Sequence, residues 1–343
     1  VTVNETNKLY YLDKFARLPE IRITFPTVQE FHEDSYALNT LGRLLADGKN
    51  SPLYKEIVEQ RRLAPSTSAS QNSYEIAGKF TIRVRGNSSV SLDTLYTAIM
   101  KGLENFDSNG VNEADLKRIK AKQETGFYNN ISSALDKAFQ LGIYNEFAGD
   151  PGFISKDVEN IKNVTKEDVL RVFNKYIKGT NAIITSVVPE AQPDLILTGS
   201  KEAYIKEEKI VQDAEKEFDA NTNIEYEKTA SIHDRSEPPL GDLPLLKVPD
   251  VWQGNLSNGI NIYGIEHNEL PLVQFSLRID GGQVLDPIDK IGTSVMLASI
   301  LNEGTENKTP AELEEAIGLL GARISISSDL EALYVSGNTL SRN

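Results

Sequence analysis

Along the first half of the chain, apolar positions recur in two rhythms. In "PEIRITF" Ile21, Ile23 and Phe25 alternate with Arg22 and Thr24, the period-2 pattern of a strand buried on one side. "KFTIRVR" repeats that rhythm with Phe80, Ile82 and Val84. "NKLYYLDK" is a shorter strand, and the apolar "NAIITSVVP" reads as a fully buried one. Between these, "DSYALNTLGRLLADG" follows helical spacing, with Asp34 as the expected N-cap and Gly48 as the stop. "SPLYKEIVEQRR" starts a second helix with Ser51 as cap and Pro52 at its first position. Helical patterns also cover 91–105, 111–147, 152–162 and 165–177.

The pattern changes after residue 188. Prolines recur at 189, 193, 238, 239 and 244, and charges crowd "SKEAYIKEEKIVQDAEKEFDANTNIEYEK". This reads as a long connection with one exposed helix near 206–218. Strand and helix rhythms resume near 250, and a repeat emerges. Pro271 is followed by Val273, Phe275 and Leu277, as Pro19 is by Ile21, Ile23 and Phe25. Each strand leads to a helix ending in Gly ("LLADG", "ILNEG") and then to a second helix with proline near its start. Each copy next runs into a Ser-rich strand, "APSTSAS" or "ARISISS". Two copies of one unit imply an α+β fold of repeated antiparallel sheets, with helices packed on one face. The expected domains are 1–188, the connection 189–247, and a second copy over 248–343 that is cut short.

Composition narrows the chemistry. Of 343 residues, 39% are hydrophobic and 25% charged, the mix of a folded globular chain. The formal net charge of -14 argues against nucleic acid and anionic lipid as partners. With no cysteine, disulfides and thiolate metal sites are excluded. No apolar run is long enough to span a membrane. The chain starts at Val1 without a signal-like segment and is read as a piece of a longer one.

The stretch from Leu256 to Ala322 resembles the N-terminal domain of the pitrilysin/insulinase family of zinc peptidases, the inverzincins. Gly292, Ser294, Leu297, Gly304, Thr305, Lys308, Thr309, Gly321 and Ala322 match that family's pattern. The earlier "SPLYKEIVEQRRLA" resembles the second domain of the same family, whose halves share the LuxS/pitrilysin-like fold. In the family, an H-x-x-E-H motif on the apolar helix binds zinc through two histidines, and its glutamate activates water. Aligning Gly292 and Gly304 places the histidines at Val295 and Ser299 and the glutamate at Ala298. The metal position is therefore degenerate, and this copy is expected to hold no zinc. Family members also carry an Arg and a Tyr, seven residues apart, that grip substrate. Leu53, Tyr54 and Ile57 fit that motif, but the two positions fall on Val58 and Pro65, so this substrate-binding pair is absent too.

The resemblance implies the non-catalytic middle of a two-unit zinc metalloendopeptidase. Its zinc site would lie upstream of Val1 and its Arg/Tyr pair downstream of Asn343. Peptides would be its substrates, and the remaining halves of the same chain its partners. It leaves two alternatives: a catalytically dead structural or binding subunit, or one partner of a two-chain processing peptidase. The location suggested by related bacterial proteins is the periplasm or cell envelope.

Other candidates are weaker. His32, His233 and His267 form no ligand pair, and the acids of "HED" at 32–34 suit a helix N-terminus. "DGG" at 280–282 reads as a turn ending a strand, and Ser66, Ser68 and Ser70 as strand positions without a partnered histidine. Trp252 is expected to precede a strand and to pack.

Overall fold

In the computed structural model, the described residues are 2–205, 229–230, 232, 234, 236–237, 239, 241, 245 and 248–343. The expected helix at 206–218 and His233 lie outside them. The chain divides into two compact units, Val1–Ala203 with Asn268–Asn343, and Tyr204–His267.

The first unit opens with β1 (Asn7–Asp13) and β2 (Glu20–Thr27), then α1 (Glu33–Ala46) and α2 (Pro52–Tyr54), the last continued by a π-helical turn over Lys55–Gln60. β3 (Thr67–Ser73) and β4 (Gly78–Arg85) follow, then α3 (Leu92–Asn109), α4 (Glu113–Asn129), α5 (Ala134–Ile143), α6 (Ile154–Asn163) and α7 (Lys166–Tyr176). β5 (Ile183–Pro189) and the short β6 (Lys201–Glu202) complete a six-stranded sheet of order β3-β4-β2-β5-β1-β6. The sheet is mixed rather than wholly antiparallel, because β1 pairs parallel with both β5 and β6.

One face of this sheet carries the core. Ile21, Ile23 and Phe25 of β2, Phe80, Ile82 and Val84 of β4, and Ile184 of β5 are buried with Leu38, Leu41 and Leu45 of α1, Leu95 and Ile99 of α3, and Val169 and Phe173 of α7. Phe106 and Phe173 meet edge to face, with centroids 5.0 Å apart, and tie α3 to α7. Among the described residues helices cover this face, and β5 alternates between buried and exposed residues along its first half instead of being buried throughout.

The helix ends differ in detail from the sequence reading. His32, not Asp34, caps α1, accepting from the Asp34 amide at 3.0 Å. Asp34 is instead fully buried, accepting from Lys175 Nζ at 2.9 Å and Tyr176 Oη at 2.6 Å, with Arg171 as a third partner. Burial opposes its charge, but these three donors outweigh that and hold the carboxyl well below the usual aspartate range. The pattern over 111–147 is not one helix. The chain breaks after Asn130, and Ser133 restarts it by accepting from the Asp136 amide.

The second copy begins with β9 (Leu272–Asp280), preceded in the other compact unit by the hairpin of β7 (Val251–Asn255) and β8 (Asn261–Ile265). Trp252 lies within β7 rather than before it and is half-exposed, its indole over Gly264, where a Cβ would sit 2.2 Å from the ring. After β9 come α8 (Thr293–Ile300), α9 (Pro310–Leu319), β10 (Arg323–Ser328) and β11 (Ala332–Leu340). The three strands pair antiparallel in the order β10-β11-β9. This is the arrangement of β3-β4-β2, reached through the same succession of strand, two helices, strand and strand. The repeat seen in the sequence is thus a repeat of topology.

Candidate functional site

Val295, Ala298 and Ser299, the positions the resemblance implies for metal ligands, lie on α8. Their i,i+4 spacing puts residues 295 and 299 on one helix face, with 298 beside them. Val295 is 43% exposed and Ala298 only 4%. Ser299 is exposed, and its Oγ donates back to the Val295 carbonyl at 3.0 Å. An isopropyl, a methyl and a hydroxyl committed to the backbone make no donor set for zinc. These residues do not fit the metal.

α8 is not the buried core helix that its composition suggests. Only Ser294 and Ala298 are buried, while Val295, Met296, Leu297 and Ile300 are open to solvent. The helix starts from Gly292, whose φ of 98° favours glycine. Asp286 supplies the cap from the preceding loop: its carboxylate accepts from the Gly292 amide at 2.8 Å and the Ser294 amide at 3.0 Å. Spacing alone did not reveal this cap, because Asp286 lies six residues before Gly292.

The matching helix of the first copy is α1, and aligning Gly48 with Gly304 sets Asn39, Gly42 and Arg43 against Val295, Ala298 and Ser299. Gly42 faces β3 so closely that a Cβ would lie 2.8 Å from the Ala69 carbonyl oxygen. Asn39 and Arg43 line a cleft of about 800 Å³ with Glu30, Tyr36, Gln123 and Asp157. The Asp157 carboxylate accepts from Tyr36 Oη at 2.8 Å and Tyr144 Oη at 2.7 Å. Burial first, and then the Asp157 charge, push the Glu30 carboxyl up. The phenols of Tyr36 and Tyr144 are held neutral, mainly by burial. This cleft contains acids and amides but no histidine. Among the described residues, no group of His, Asp and Glu side chains is placed to hold a metal.

Val58 is half-buried in the π-helical turn after α2, and Pro65 is exposed just before β3. Neither side chain carries the guanidinium or phenol that the resemblance places there.

The two copies meet where α9 rests on α4. A Cβ on Gly318 would lie 2.7 Å from the Arg118 side chain, and one on Gly321 would lie 2.7 Å from the Ala121 carbonyl oxygen. Arg342 donates to Glu124 of α4 from both Nη nitrogens, at 2.9 and 2.5 Å. That pairing, ahead of the opposing effect of burial, lowers the Glu124 carboxyl below its usual range.

Residues 2–123 match the family described as Peptidase M16 inactive domain. The chain is similar to the Zinc protease PqqE of Helicobacter pylori, with 27% identity over 165 residues, covering 46% of this chain and 35% of that protein. It therefore spans about a third of the length of the curated relative it matches. Among solved structures, a protease from Helicobacter pylori aligns with a TM-score of 0.48 and 24% identity, over 53% of this chain and 44% of that one. The periplasmic protease PqqL from Escherichia coli aligns with a TM-score of 0.48 and 15% identity, over 100% of this chain and 39% of that one. The pitrilysin-like resemblance read from the sequence agrees with the family match and the curated relative, and the α+β class agrees with the described strands and helices.

Proposed function

We propose that the chain is the non-catalytic middle portion of a zinc-dependent endopeptidase that encloses and hydrolyses peptides. Zinc and the catalytic carboxylate are supplied by other polypeptide, either the remaining halves of the same chain or a partner. The domains run 1–188, 189–247 and 248–343, and the whole protein acts in a bacterial periplasm or envelope. The observation that carries this reading is the inactive-domain match over residues 2–123, joined to a second copy of the same topology. In that copy Val295, Ala298 and Ser299 stand where the resemblance implies metal ligands.

The test is to restore the motif with Val295→His, Ala298→Glu and Ser299→His. Zinc content by elemental analysis should rise in the triple variant relative to the parent chain, because two imidazoles four residues apart face one ion. A variant that folds, by circular dichroism, yet gains no zinc would show that α8 does not occupy the metal-helix position. Peptide hydrolysis by the parent chain alone would overturn the non-catalytic assignment.

A further inference from the structure

The face of the six-stranded sheet opposite its core carries an arginine cluster that the peptidase reading does not use. Glu20 is buried at the centre of it. Its carboxylate accepts from Arg22 Nε at 2.8 Å, Arg83 Nη2 at 2.8 Å, and Arg85 Nε and Nη2 at 3.1 and 2.9 Å. Cross-strand register builds the group, since Glu20 pairs with Arg85 and Arg22 with Arg83. Three guanidiniums share one carboxylate, so two positive charges are left over. All three arginines are about half-exposed, with most of their N–H donors not turned to Glu20.

The strand order does not require this cluster. In the second copy the corresponding pairs are Leu272 with Leu340 and Gln274 with Asn338, and the same strand order forms without any charge there. The residual charge is also against the trend of a chain with a net charge of -14.

We propose that Arg22, Arg83 and Arg85 form a docking surface for an acidic polypeptide segment, whose carboxylates they engage in forked hydrogen bonds. A polypeptide suits the site better than a small acid. The surroundings are an open sheet face with outward Ser68, Thr81 and Thr185, and the arginines are not among the residues that line the cleft at Asn39 and Arg43, whereas small-molecule sites are concave.

The experiment is titration of the full 343-residue chain with a glutamate decamer and, separately, with citrate. Sedimentation velocity is run on the same samples. The paired variant Arg22→Gln/Arg85→Gln keeps Arg83 on Glu20, so the buried carboxylate stays partnered. Lys101→Gln/Lys166→Gln removes the same charge elsewhere. Decamer affinity should fall about tenfold in the arginine variant and stay near the parent value in the lysine variant. It should also be lost at about 0.5 M salt. Self-association that the arginine variant abolishes would support the surface and identify a second copy as its acidic partner. Equal loss in both variants, or no loss in the folded arginine variant, would overturn the proposal. So would citrate binding as tightly as the decamer.

Discussion

Leu41 and Leu297 occupy the same place in two copies of one design, yet the first is 0% exposed and the second 44%. Ile23 and Phe275, on the matching strands, differ likewise at 2% and 48%. The contrast does not arise from the repeated elements themselves, whose order and pairing agree. It arises from what lies over them. In the first copy α3 and α7 cover β2 and α1, and β5 pairs with the second edge of β2. Among the described residues β9 pairs with β11 alone, and its apolar Val273, Phe275, Leu277 and Ile279 stay 37–48% exposed. The shared motif sets topology, and burial comes from the elements added around it.

The largest expected effect tests that distinction. Leu41→Ala should cost about 2–5 kcal/mol, because it opens a cavity in a packed core, while Leu297→Ala should cost under about 1 kcal/mol. Denaturant midpoints of the two variants, read with hydrogen exchange in each copy, check it. Equal costs would mean that Leu297 is covered in solution.

The first copy should also be the acid-sensitive one. Burial raises the Glu20 carboxyl, but Arg83, Arg22 and Arg85 outweigh that and bring it down to about 2 from the usual 4.5. A carboxyl depressed on folding adds stability that is complete above pH 4.5 and is lost as pH falls from there toward about 2. The contribution is on the order of 3 kcal/mol. Glu20→Gln should flatten this acid limb in a stability-against-pH series. An unchanged slope would assign the limb to other carboxylates.

Smaller effects concern the seam between the copies. Arg342→Ala leaves the buried Glu124 carboxylate short of its main donor and should cost about 2 kcal/mol, with faster exchange in α9 and β11. Lys49→Gln removes a partly exposed pair with Glu303, 2.8 Å in length, and should cost about 0.5 kcal/mol or less. A cost for Lys49→Gln as large as that for Arg342→Ala would place the seam's strength in the polar rim instead.

Much of this was readable from residue order. The two rhythms of apolar positions located β2, β4 and α1, because a half-covered sheet and a surface helix impose periods of two and 3.6 on their sequences. The repeat was visible from Pro19 and Pro271 onward, and spacing between glycines placed Val295, Ala298 and Ser299 on one helix. What escaped depended on distant partners. Asp34 looks like a cap until α7 brings Arg171, Lys175 and Tyr176 to it. α8 looks like a core helix because composition reports apolarity and not what covers it. The arginine cluster was hidden because its members come from two strands, and only their register joins them on Glu20.

Gly321 has a φ of 59° and sits against the α4 backbone, so it meets two separate demands with one missing side chain. Any larger residue there would act as a wedge, prising α9 away from α4 and drawing Arg342 off Glu124. The separation of the two copies is in this sense gauged by a single hydrogen atom where every other amino acid has carbon.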